Sequence, residues 1–151
     1  MEIKYQLYEE EHLLIQRYSG QFSFEKYFKF SHHIIQTYVP KKVIKKVLLD
    51  LRDLQLGKLE DEIPVEFEED LERVIEIRKK FKENQLKNKE FKSVIWVDKP
   101  QSTVIAHLFM QRFPAGDYDY CSTAPIAIEL LKLPSRFDNL EQIIEDLEHT
   151  F

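Results

Sequence analysis

Apolar and polar positions alternate at the start of the chain. Ile3, Tyr5 and Leu7 stand between polar neighbours, and an apolar group returns at Leu13 to Tyr18 after the acidic connection Glu9 to Glu11. Period-two alternation predicts two strands, and their proximity predicts a hairpin, although no Asn-Gly or Asp-Gly turn joins them. The period then lengthens. Phe24, Tyr27, Phe28, Ile34, Ile35 and Tyr38 recur at three- and four-residue spacing, which predicts a helix with an aromatic face. Ser23 is placed to cap it, with Phe22 and Tyr27 forming a hydrophobic staple, and Pro40 stops it at Val39.

A third strand is expected around VLLDL, Val47 to Leu51, followed by a loop over residues 53–64 that contains Gly57. Pro64 opens a second long helix with Phe67, Leu71, Val74, Ile75 and Phe81 on its inner face. SVIWVD predicts a central strand from Val94 to Asp98. Ser102 can cap the next helix, whose apolar residues Val104, Ile105, Leu108, Phe109 and Met110 cover most of its circumference and predict deep burial. Pro114 and Gly116 end that helix, and Tyr118 to Thr123 supplies a short strand.

Thr123 precedes a short apolar helix through Ile126, Ala127, Leu130 and Leu131. After Pro134, Asp138 and Glu141 have capping-box spacing for a last helix that buries Leu140, Ile143, Ile144 and Leu147. Strand, strand, helix, then strand–helix alternation is the order of an α/β layer. We expect one domain over residues 1–151, with a mixed, parallel-rich sheet and an antiparallel N-terminal edge strand. Its helices should lie mainly on one face and leave the other partly open for contact. No repeat or Pro/Gly/Ser-rich linker divides the chain.

Composition narrows the class without naming an activity. The 151 residues, 43% hydrophobic and 32% charged, suit a globular domain with a real core. The formal net charge of -5 argues against broad attraction to nucleic acid or anionic lipid. No apolar run approaches the roughly 18 to 20 residues of a membrane-spanning helix, so membrane insertion is not expected. The acidic residues Glu2 and Glu9 to Glu11 do not resemble a secretion signal, and the single Cys121 cannot form an intrachain disulfide. A cytoplasmic setting follows as the expectation.

Chemical signals are sparse. There is no Walker loop or Gly-x-Gly-x-x-Gly, which disfavours a nucleotide enzyme. His32 and His33 point about 100° apart on a helix, poor geometry for one metal, and His12 and His149 add no compact ligand spacing. His107, inside VIAHLFM, reads as a buried, hydrogen-bonded histidine before it reads as a base. Cys121 reads as a small packed thiol. Asp50, Asp53 and Asp98 sit near strand exits, where carboxylates could converge on a proton or a hard cation, yet turn capping and pairing with Arg52 explain them first. KKVIKK and RKKFK, the latter with Phe81 as a stacking ring, are weak candidates for RNA backbone contact and read as solvated faces. No residue is therefore assigned a catalytic, cofactor or metal role, and no cofactor is expected.

The segments LLIQRYSG, VLLDLRD, SVIWVD and YCSTAPIAIELL, in that order across about residues 10–148, resemble a STAS-like domain, the fold of sulfate transporter domains and anti-sigma factor antagonists. The resemblance implies a mixed sheet with helices mainly on one side. It also implies function through partner recognition or, in some relatives, binding of a small or lipidic ligand. In the anti-sigma antagonists a phosphorylatable serine opens the helix after the strand matching Val47 to Leu51. Here that region has no Ser or Thr from Lys41 through Lys92, so the phosphoswitch does not transfer. The expectation is a non-enzymatic regulatory domain that binds an unidentified protein, with a carrier for a small apolar or lipidic ligand as the alternative. A weak homodimer is compatible with either.

Overall fold

A computed structural model describes residues 1–38, 44–55, 72, 91–100, 102–104, 106–107 and 118–151. The expected second long helix from Pro64, RKKFK with Phe81, and most of the loop after residue 55 lie outside the described residues. The strands are β1 (Glu2–Tyr8), β2 (Leu13–Gln21), β3 (Lys46–Gln55), β4 (Lys92–Trp96), β5 (Tyr118–Cys121) and β6 (His149–Thr150). Helix α1 (Phe24–Tyr38) follows β2, while α2 (Ala124–Leu131), a 3-10 turn (Ser135–Phe137) and α3 (Leu140–Glu145) separate β5 from β6.

The six strands form one sheet in the order β5-β4-β3-β2-β1-β6. β1 pairs antiparallel with β2 and with β6, and β2 through β5 are mutually parallel. The hairpin closes without glycine because His12 adopts a left-handed φ of 53° and its N–H donates to the Glu9 carbonyl at 3.1 Å. The His12 carbonyl then accepts N–H bonds from Lys45 and Lys46, tying the turn to the start of β3. At α1 the Lys26 N–H donates to Ser23 Oγ at 3.3 Å, and the Phe22 and Tyr27 rings lie 6.3 Å apart, as a capped and stapled helix start requires.

The expectation that helices lie mainly on one face, with the other partly open, does not hold. The parallel strands advance in one direction from β2 to β5, and crossovers of one hand place their helices on one side. Accordingly α1 and Ala106 pack with Ile3, Leu14, Leu49 and Ile95. After β5 the chain runs back to the far edge, and α2, the 3-10 turn and α3 cover the second face against Leu13, Ile15, Leu48, Val94 and Trp96. Both faces are closed, and each fully buried large side chain contributes about 1.5–3 kcal/mol.

Four local expectations also change. The helix after β4 starts at Pro100, not after Ser102. Lys99 precedes it, and Ser102 Oγ reaches back to accept the Lys99 N–H at 3.2 Å and donate to the Lys99 carbonyl at 2.9 Å. That helix is not buried all round, since Val104 is 51% exposed while Ala106 is fully buried. Helix α3 is preceded by Asn139, because Asp138 belongs to the end of the 3-10 turn, so the capping box does not form. Finally, the chain continues past Leu147 into the edge strand β6, where the Phe151 N–H donates to the Ile3 carbonyl at 2.8 Å.

Candidate functional site

One register line organises the upper part of the sheet. Arg17 on β2 stands beside Asp50 on β3, Asp50 beside Trp96 on β4, and Trp96 beside Cys121 on β5. Trp96 and Cys121 are the last residues of their strands, so the line meets the carboxyl end of the sheet at β4 and β5. Two regions of different character lie along it.

The first region is a charge cluster at β2 and β3. The register skips from Arg17↔Asp50 to Ser19↔Asp53, so β3 carries an extra residue there, a β-bulge. Asp50, 1% exposed, occupies the bulge by accepting the Arg52 backbone N–H at 3.1 Å. Its carboxylate also takes a two-pronged contact from the Arg52 guanidinium, Nε to Oδ1 and Nη2 to Oδ2, each at 2.9 Å. The Arg52 guanidinium lies 3.9 Å from the centre of the Trp96 ring. Arg17 bridges Asp53 at 2.7 Å and Glu145 of α3 at 2.6 Å. These contacts raise the pKa of Arg17, chiefly through Glu145, and hold Asp53 below the usual carboxylate range, chiefly through Arg17. Every charge here has its counter-charge, and the arrangement stitches β2, β3 and α3 together.

The second region is an open cleft of about 430 Å³ beyond the ends of β4 and β5. Asp98, Lys99 and Thr103 form its β4 side, and Tyr120, Ser122 and Ile126 its β5 side. Its place follows from the winding. The helix after β4 packs on the α1 face through Ala106, whereas α2, after β5, packs on the opposite face. Connections that leave neighbouring strands on opposite sides open a crevice at their carboxyl ends, the usual ligand position in α/β sheets. Helix α2 is fixed at its other end by the left-handed Lys132, and the Lys46 ammonium donates to the Lys132 carbonyl at 3.1 Å.

The three aspartates therefore do not gather into one site: Asp50 and Asp53 are held by arginines in the cluster, and Asp98 lines the cleft. Cys121 is buried where the two regions meet, and burial together with the nearby Asp50 charge pushes its thiol up to about 12, opposite to the shift a nucleophile needs. His107 is exposed, which corrects the reading of a buried histidine. His33 Nε2 shares a hydrogen bond with the Tyr5 hydroxyl at 2.9 Å, His32 is exposed, and His149 lies in β6 with its ring 5.2 Å from that of Tyr5. Among the described residues no group of His, Cys, Asp and Glu has metal-binding geometry, and no helix is long and apolar enough to cross a membrane.

The sequence matches no family model and no curated protein.

Sequence reasoning missed Arg17, Glu145 and the cleft. Arg17 had a signal, as a lone cation inside the apolar run LLIQRY. Glu145 and the cleft had none, because both depend on the path of the chain after β5. The cleft also carries an apolar rim. Among the described residues the exposed large hydrophobic side chains are Val104, Tyr120 and Ile126, at 51%, 39% and 42%. Tyr120 and Ile126 line the cleft, whereas Val104 is not part of its lining.

Proposed function

We propose that the domain works by reversible recognition of a protein partner at the cleft beyond β4 and β5, without catalysing a reaction. The observation that carries this reading is the exposure of two large apolar side chains, Tyr120 and Ile126, in the lining of one open cleft that also includes Asp98 and Lys99. Apolar contact at the centre with charge at the edge is the composition of a recognition surface. The groups that sequence reasoning weighed for chemistry support it by their state: the Cys121 thiol is raised, and Asp50 is bound to Arg52. The exposed sheet face considered from the sequence no longer serves, since helices cover both faces.

This reading keeps the regulatory role that the STAS-like resemblance implies and the cytoplasmic setting expected from the composition, and the mixed sheet with its antiparallel N-terminal pair is compatible with that resemblance. Carriage of an apolar or lipidic molecule is the second reading, favoured by the position and size of the crevice. Gentle purification, native mass spectrometry and partner capture decide between them. The proposal expects a specific protein bound in a fixed ratio. A reproducible apolar metabolite in one-to-one ratio, with no protein partner, reverses the ranking, and turnover of that metabolite rejects both readings.

A further inference from the structure

The polar lining of the cleft points to a ligand that neither reading names. Asp98 and Lys99 are consecutive, opposite in charge, exposed, and without an ion-pair partner among the described residues. Among the described residues the Lys99 ammonium makes a long contact with the Arg52 carbonyl at 3.4 Å, and its charge helps to lower the pKa of Asp53. In the neighbouring cluster, by contrast, Arg17, Asp50, Arg52 and Asp53 all have partners within hydrogen-bond reach. The β4 side of the crevice therefore offers one negative and one positive pole to whatever enters it. The β5 side offers an apolar wall, Tyr120 and Ile126, together with the exposed Ser122 hydroxyl. The space, about 430 Å³, lies in the range of small-molecule sites, and its position at a switch of helix direction is where α/β sheets bind such molecules.

We infer that this crevice binds a small zwitterion with an apolar arm, of the α-amino acid class. The ligand ammonium faces Asp98, its carboxylate faces Lys99, and its side chain lies on Tyr120 and Ile126. A hydrocarbon or lipid tail would leave both poles unused, and a simple anion or cation would use only one. Because both charges stay in contact with water, each pairing is weak, and binding falls on the order of millimolar. The inference deepens the recognition reading, in that the ligand sits inside the apolar rim that a partner covers.

Titration of the labelled full chain with L-leucine, followed by amide NMR shifts, tests it. N-acetyl-L-leucine, which lacks the cation, and L-leucinamide, which lacks the anion, serve as matched probes. The expected result is saturable shifts at Lys99, Ser122 and Ile126 with L-leucine, and binding about tenfold or more weaker for each blocked probe. Asp98→Asn should erase the preference over the acetylated probe, and Lys99→Gln the preference over the amide. Absence of saturable shifts, equal binding of all three probes, or preferences unchanged in both variants overturns the inference. Partner capture that still depends on Ile126 when L-leucine does not bind leaves the recognition reading standing. Zwitterion binding without any rim-dependent partner does the reverse.

Discussion

The charge cluster and the cleft lie on neighbouring strands at the same end of the sheet, yet they treat their charges in opposite ways. In the cluster, Asp50 is almost wholly buried and tied to Arg52 by two side-chain hydrogen bonds, and Arg17 spans Asp53 and Glu145. In the cleft, Asp98 and Lys99 stand exposed beside apolar side chains that are also exposed. The difference shows that a carboxylate near a strand exit takes its role from its neighbours. Burial makes an unpaired charge costly, so the interior charges became structural, while the exposed ones remained available for a partner.

The largest expected effect that sharpens this contrast is on stability. Asp50→Ala should cost about 3 kcal/mol, because it strands the Arg52 guanidinium and leaves the bulge N–H without its acceptor. Asp98→Ala should stay within about 0.5 kcal/mol. Urea unfolding of the two variants measures both, and equal losses would erase the distinction between the regions.

Thiol reactivity probes the boundary between them. With its pKa pushed up to about 12 by burial and by the charge of Asp50, Cys121 should resist a disulfide reagent at neutral pH and react once the chain is unfolded. Asp50→Asn removes the negative charge and should lower the thiol pKa. Stopped-flow labelling that is rapid in the native wild type would contradict this placement of the thiol.

A smaller effect is expected from acid. Asp53 has a depressed folded-state pKa, so its contribution is fully present above the unfolded value of about 3.9 and is lost as pH falls through the lower folded value. Since Asp53 is nearly half exposed, the contribution is about 0.5 kcal/mol. The stability difference between wild type and Asp53→Asn should therefore shrink as the pH falls below about 4. A difference that grows on acidification would reverse the assigned sign.

Much of the fold was legible where periodicity is long and local. The alternation of Ile3, Tyr5 and Leu7 and the stapled start of α1 both appear where the pattern placed them. Short elements and non-local choices were not legible. The two residues of β6 carry no period, and their pairing depends on Lys4 and Tyr5 at the other end of the chain. Pro100 marked its helix start, but Ser102 drew the cap three positions too far because its hydroxyl does cap, from inside the first turn. The covered second face depends on the path after β5, which no residue type announces. At the site, Asp50 with Arg52 could be read from two-residue spacing, whereas Arg17 with Asp53 needed the cross-strand register.

The central claim is that the rim of the cleft recognises a partner while the neighbouring cluster only supports the fold. The most direct measurement is quantitative partner capture with wild type and the double variant Tyr120→Ser/Ile126→Ser, with thermal unfolding of both recorded alongside. Both side chains are more than a third exposed, so the variant should unfold within about 1 kcal/mol of wild type. The account predicts loss of the specific partner at that nearly unchanged stability. Undiminished capture by the double variant would contradict it.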